Sequence, residues 1–144
     1  MKKRSFFVLG IVALAGQLLF GTSTGLAEEV PAGSVVTAYY FHGNFRCPTC
    51  HKLEKYAKEA IENNFTDALA SGKLSFKIVN TENAGGEHYV KDYQLYTKSV
   101  VLSLTKDGKE IRFKNLDKIW EYVGNKDRYE NYVRDEVAAF LKET

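Results

Sequence analysis

Cysteine is scarce in this sequence: the 144 residues contain two, Cys47 and Cys50. A protein held together by a framework of disulfides needs several paired cysteines, so this class is excluded. A bridge between residues this close in sequence also closes too short a loop to remove much chain entropy from the unfolded state. A lone Cys-x-x-Cys pair therefore indicates reactive thiols, and we expect a redox site.

A surplus of charge is also missing. The chain has 20 Lys and Arg residues against 18 Asp and Glu residues. Residues 1–27 hold three of the basic residues and none of the acidic ones, which leaves 17 basic against 18 acidic residues in the remainder. A nearly neutral domain lacks the basic surface that binds nucleic acid or anionic lipid. We therefore expect no nucleic-acid partner, and nothing in the composition calls for a cofactor.

Long apolar runs are confined to the N-terminus. Residues 1–27 combine a basic start, a mostly apolar stretch and small residues before Ala27, which is the pattern of a secretory signal peptide. The apolar stretch is short for a transmembrane helix, and Gln17 interrupts it. We predict a signal peptide at 1–27, one domain at 28–144, and an exported protein, periplasmic or extracellular. An uncleaved N-terminal membrane anchor is the alternative.

One stretch of the chain carries the chemistry. An aromatic run ending at Phe41 leads into a Gly/Asn turn, and Cys47-Pro48-Thr49-Cys50 then opens a long helical pattern. A helix N-terminus lowers the pKa of a cysteine, because its free N–H groups and positive dipole end favour the thiolate. Cys47 falls at the exposed start of this helix, and Cys50 falls on its apolar stripe. This arrangement is typical of thiol–disulfide exchange.

The same residues, extended to His51, match the attachment signature of c-type haem. The second axial ligand of such a haem is commonly Met, and the single methionine is Met1, inside the expected leader. His42 or His88 would then have to serve as the distal ligand. The uninterrupted helical pattern after Cys47 favours the redox pair, with His51 as an ordinary residue near the helix start.

Hydrophobic periodicity predicts an α/β domain with the order β-α-β-α-β-β-α, a central mixed sheet flanked by helices. Strands are expected at 35–41, 74–79, 100–105 and 111–113, and helices at 48–65, 66–71, 88–95, 115–124 and from about 127 to 141. Apolar residues on both faces of the first strand predict that it is central and covered on both sides.

Local signals refine this prediction. Asp107-Gly108 predicts a tight hairpin between the last two strands. Asn115 is expected to cap the short helix that follows. On the exposed face of the first long helix, Glu54 and Lys58 are among the pairs spaced to form an i,i+4 ion pair.

The element order and the placement of the Cys-x-x-Cys resemble a thioredoxin-like fold over residues 33–142. More narrowly, four segments are similar to a family of small exported thioredoxin-like proteins from arsenic-resistance operons, which carries the name nitrophenyl-compound nitroreductase subunit. The segments are Tyr-Phe-His-Gly-Asn at 40–44, Cys-Pro-Thr-Cys at 47–50, Tyr-Gln-Leu-Tyr-Thr-Lys-Ser at 93–99 and Asn-Leu-Asp-Lys-Ile-Trp at 115–120.

The resemblance implies roles for the residues of the motif. Cys47 would attack a disulfide and Cys50 would resolve the mixed disulfide. Arg46 would add positive potential that favours the thiolate, although it can equally be an ordinary solvated surface charge. The Pro48-Thr49 dipeptide is similar to those of glutaredoxins and oxidising disulfide enzymes. The implied partners are a disulfide-bearing protein or small-molecule thiol and a membrane thiol-electron transporter, and we expect a monomer.

Proline is also scarce, since Pro31 and Pro48 are the only two. Thioredoxin-like redox proteins usually place a cis-proline opposite the cysteines, at the start of the third strand. Ser99 or Val100 stands there in this chain. No acidic residue occurs between residues 30 and 46, so the carboxylate that serves as a proton acceptor in thioredoxin is not visible in the first strand.

The missing proline leads to an alternative function, because it would leave the sulfurs open to a soft ion such as Cu(I), Zn(II) or As(III). The protein would then be a metal- or metalloid-binding module. Cys47 and Cys50 alone do not complete a four-coordinate site, so His42, His51 or an exogenous ligand would have to join them. His42 can instead be a hydrogen-bonded turn residue at the strand end.

Overall fold

The computed structural model describes residues 33–144, and the predicted signal peptide at 1–27 lies outside them. The strands are β1 (Ser34–His42), β2 (Leu74–Asn80), β3 (Ser99–Lys106) and β4 (Lys109–Asn115). The helices are α1 (Pro48–Asn64), α2 (Thr66–Ala70), α3 (His88–Asp92), α4 (Ile119–Tyr122) and α5 (Lys126–Leu141). No helix in this part of the chain has the length and hydropathy that a membrane span requires.

The four strands form one mixed sheet in the order β2-β1-β3-β4. β1 and β2 run parallel, as expected for strands joined through a helical crossover. β3 runs antiparallel to both β1 and β4. When α1 with α2 and α4 with α5 are each counted as one helical segment, the chain order is β-α-β-α-β-β-α. With this strand order it is the thioredoxin-like arrangement, and the predicted fold class is confirmed.

Each face of the central strand contributes to a separate hydrophobic cluster. Val36, Ala38 and Tyr40 of β1 pack with buried residues of α1 and α5 in the larger cluster. Phe41, with Tyr39 packed beside it, belongs to a smaller, aromatic-rich cluster that includes Tyr89 and Tyr93 from in and around α3. The prediction that β1 is covered on both sides is therefore confirmed. The long helices α1 and α5 cover one face of the sheet, and α3 covers the other.

The predicted hairpin is present at Asp107-Gly108. Both residues have positive φ angles, 50° and 77° respectively. That is the backbone required by a two-residue turn whose twist matches the strands.

The predicted cap at Asn115 is wrong. Asn115 is the last residue of β4 and pairs with Val101 in the sheet. The short helix α4 begins four residues later, at Ile119. The predicted strand ends at Phe113, because that is the last apolar residue of the strand pattern. The antiparallel pairing of β4 continues to Asn115.

Core packing makes a direct prediction for β3. Leu102 is fully buried between the helices and the sheet, so Leu102→Ala should lower the free energy of unfolding by about 2–5 kcal/mol. Ile111 on β4 is 56 % exposed and serves as the control, and Ile111→Ala should cost less than about 1 kcal/mol. Urea denaturation followed by circular dichroism measures both. Equal losses for the two variants would contradict the described core.

Candidate functional site

The site lies where β1 ends and α1 begins, and the intervening loop is held by hydrogen bonds to the end of β2. The His42 carbonyl accepts a hydrogen bond from the Thr81 N–H at 2.8 Å. The Asn80 side-chain amide donates to the Asn44 side-chain oxygen, also at 2.8 Å. Parallel pairing brings the ends of β1 and β2 to the same edge of the sheet, so these contacts fix the position from which α1 starts.

Cys47 occupies the N-cap of α1. Its backbone is extended, with φ −89° and ψ 164°, and its sulfur accepts a hydrogen bond from the Cys50 N–H at 3.2 Å. Pro48 follows in the first turn, where a missing N–H has no helical partner to lose. The Cys47 sulfur thus takes the position that Ser, Thr or Asp oxygens usually take at a helix start, and one of the free helix N–H groups points at it.

The two cysteines differ in exposure, as the helical pattern predicts. They are joined as a disulfide with their Cα atoms 5.0 Å apart. Cys50 is 2 % exposed and lies on the stripe that α1 buries, whereas Cys47 is only partly buried. Cys47 is therefore the more accessible of the two cysteines.

Tyr40 contributes a contact that the sequence analysis missed. Its hydroxyl donates to the Cys50 carbonyl at 2.7 Å, and the whole side chain is buried. Burial raises the pKa of Tyr40 to about 12, so the phenol stays protonated and remains a donor at neutral pH. The available signal was strand alternation, which places Tyr40 on the same face of β1 as Val36 and Ala38.

A second tyrosine makes the equivalent contact one turn further along the same helix. The Tyr129 hydroxyl, from α5, donates to the Leu53 carbonyl at 2.8 Å. Tyr129 is also fully buried. Two buried phenols from different elements therefore hold the first half of α1 in place.

Arg46 is not a free positive charge beside Cys47. Its guanidinium forms an ion pair with Glu54 of α1 and lies 6.0 Å from the centre of the Tyr40 ring. The sequence pattern pairs Glu54 with Lys58, so this part of the prediction is wrong: the turn at the start of α1 brings the Arg46 side chain back over the helix. A paired carboxylate offsets much of the potential that Arg46 could otherwise exert on a thiolate.

The histidines of the alternative metal site do not converge on the cysteines. His42 places its Nδ1 2.9 Å from the Gly43 carbonyl, an acceptor, so Nδ1 carries the hydrogen. His51 is exposed on α1. Within residues 33–144 no group of three or more His, Cys, Asp or Glu side chains is placed to hold one ion. A soft ion at this site would have the two cysteines as its protein ligands.

Ser99 is the first residue of β3 and pairs with Phe41, while Val100 pairs with Tyr40. The Ser99 hydroxyl donates to the Thr97 carbonyl at 3.0 Å, and Val100 is fully buried in the larger cluster. No peptide bond in the described part of the chain is cis. Ser99 and Val100 are therefore the first two residues of β3, and both follow trans peptide bonds.

An exposed aromatic rim, formed by Phe45, Tyr96 and Trp120, was also missed. Phe45 and Tyr96 are 75 % and 93 % exposed. Lys98 connects the rim, because its Nζ lies 5.7 Å from the Phe45 ring and its carbonyl accepts from the Trp120 indole N–H at 2.9 Å. Phe45 and Tyr96 lie in loops, which have no hydrophobic periodicity, and Trp120 lies in the four-residue helix α4, which is too short to show one.

The comparisons with known proteins find likeness at the level of structure only. No model of a protein family matches the sequence, and no curated protein matches it.

Among solved structures, the thioredoxin of Fasciola hepatica is similar at 18 % identity and a TM-score of 0.37, over 65 % of this chain and 81 % of that one. The thioredoxin of Trypanosoma brucei brucei is 16 % identical with a TM-score of 0.38, over 72 % of this chain and 76 % of that one. The oxidised thioredoxin of Plasmodium falciparum is 14 % identical with a TM-score of 0.38, over 66 % of this chain and 81 % of that one.

The difference in exposure predicts unequal reactivity of the two thiols after reduction. Cys47 is also at a helix N-terminus, a position that lowers the pKa of a thiol. A thiol with the ordinary pKa of about 8.5 is about 3 % ionised at pH 7, whereas a thiol whose pKa is lowered to about 7 is half ionised. We therefore expect Cys47 to react with iodoacetamide roughly tenfold faster than Cys50. Peptide mapping of partly alkylated protein measures the ratio. Faster labelling of Cys50 would reverse the assigned roles.

Proposed function

We propose that the protein is an exported thiol–disulfide oxidoreductase that works through Cys47 and Cys50. The observation that carries the proposal is the Cys47 sulfur at the N-cap of a 17-residue helix, accepting the Cys50 N–H. Such a position stabilises a thiolate, which is the nucleophile in disulfide exchange. The burial of Cys50 directly behind it supplies a resolving thiol that is shielded from other reagents.

The reaction begins with the reduced pair. The Cys47 thiolate attacks one sulfur of a partner disulfide, that disulfide breaks, and one partner sulfur leaves as a thiolate. The Cys50 thiol then loses its proton and attacks the Cys47 sulfur of the mixed disulfide. The second partner sulfur leaves, and the Cys47–Cys50 bridge forms. Two electrons pass from the pair to the partner, and the same steps in reverse oxidise a partner dithiol.

The partner class is a disulfide-bearing protein or a small-molecule thiol. The aromatic rim formed by Phe45, Tyr96 and Trp120 supports a protein partner, because exposed aromatic side chains offer apolar contact area and Phe45 lies two residues before Cys47. The similarity of the 40–44, 47–50 and 93–99 segments to the exported arsenic-operon family supports a membrane thiol-electron transporter as the electron source. Export itself is supported by the leader pattern of residues 1–27.

Mixed-disulfide trapping tests the proposal. Reduced Cys50→Ser protein should form a stable mixed disulfide with oxidised glutathione through Cys47, because no second thiol remains to resolve it. Cys47→Ser is the matched control and should trap little, since Cys50 is buried. Wild-type protein should instead release reduced glutathione and end as the internal disulfide. Mass spectrometry distinguishes the three products. Trapping by Cys47→Ser, or by neither variant, would contradict the proposed exchange.

A further inference from the structure

The Cys50 backbone is held from both sides. Its N–H donates to the Cys47 sulfur at 3.2 Å, and its carbonyl accepts the Tyr40 hydroxyl at 2.7 Å. The two contacts differ in origin, since Cys47 belongs to the same helical turn and Tyr40 belongs to the central strand β1. The hydroxyl thus links the orientation of this first turn to a strand that is covered on both faces.

We propose that Tyr40 is a positioning residue for the redox pair, whose hydroxyl holds the first turn of α1 so that the Cys50 N–H stays on the Cys47 sulfur. This inference rests on the proposed function, because it concerns the same pair of cysteines. When the disulfide opens, Cys47 becomes a thiolate, and a donor already in place stabilises it without any rearrangement. A hydrogen bond to the Cys50 carbonyl also polarises the helical hydrogen-bond network around that residue.

The other groups near Tyr40 do not supply this contact. Arg46 and Glu54 pair with each other, and both influence the Tyr40 phenol through their charges. The His42 ring lies 6.1 Å from the Tyr40 ring. Tyr129 approaches from α5, but its hydroxyl donates to Leu53. Of these groups, only Tyr40 bonds to a cysteine backbone atom, so its hydroxyl can be removed while the surrounding charges stay in place.

Tyr129 provides a matched control. Both tyrosines are fully buried, and both donate from the phenol oxygen to a carbonyl of α1, at 2.7 and 2.8 Å. Tyr40→Phe and Tyr129→Phe each remove one oxygen and keep the ring. The two variants should lose comparable stability, whereas only the first removes a contact to the cysteine pair.

The experiment measures the pKa of Cys47 from the pH dependence of its alkylation by iodoacetamide in reduced protein. Tyr40→Phe should raise this pKa by about 0.5, which is roughly threefold slower alkylation below the pKa. Tyr129→Phe should leave it at the wild-type value. An unchanged Cys47 pKa in Tyr40→Phe, or an equal rise in both variants, would overturn the proposal.

A second substitution keeps the test decisive if Tyr40→Phe does not fold. 3-Fluorotyrosine placed at position 40 alone retains the hydroxyl and makes it a stronger donor. The Cys47 pKa should then fall, and a rise or no change would overturn the proposal. Because alkylation needs no partner disulfide, this readout is separate from the trapping experiment. A failure of disulfide exchange would leave the Cys47 measurement valid, and a failure here would leave exchange intact.

Discussion

The hydrogen bonds of the Cys50 backbone are the constraint on which the site depends. The N–H of Cys50 donates to the Cys47 sulfur, which caps the helix, and the Cys50 carbonyl accepts from the Tyr40 hydroxyl of β1. A thiolate is stabilised at a helix start only while the free N–H groups point at it. The reactivity of Cys47 therefore depends on how the first turn of α1 is oriented, and that orientation depends on the preceding strand, β1.

The surrounding fold holds the first turn of α1 in this orientation. β1 is covered on both faces and paired on both edges, by β2 and β3, so Tyr40 projects from a strand that has neighbours on every side. One turn beyond Cys50 on the same buried stripe of α1, the Leu53 carbonyl accepts a hydrogen bond from Tyr129 of α5. The helix that carries the cysteines is thus hydrogen-bonded to both a strand and a second long helix, while Cys47 stays partly exposed at the helix start.

The sequence predicted those features that local signals determine. Residue spacing predicted that the Cys-x-x-Cys begins a helix and that its two cysteines differ in exposure. Turn chemistry predicted the hairpin at Asp107-Gly108. Both signals involve only a few neighbouring residues. The missed contacts join distant segments: Tyr40 to Cys50, Tyr129 to Leu53, and Arg46 to Glu54. Such pairs depend on how α1 is oriented over the sheet. Asn115 was misassigned for a similar reason, because its pairing with Val101 is set by the neighbouring strand.

The reduction potential of the Cys47–Cys50 pair tests the central claim, that this disulfide exchanges with partners rather than serving as a structural bridge. Equilibration of the protein in glutathione or dithiothreitol buffers, followed by thiol trapping and mass spectrometry, gives the fraction reduced at each potential. The account predicts a value above about −300 mV, in the range of proteins that exchange disulfides. A potential below about −300 mV, as structural disulfides typically have, would contradict it.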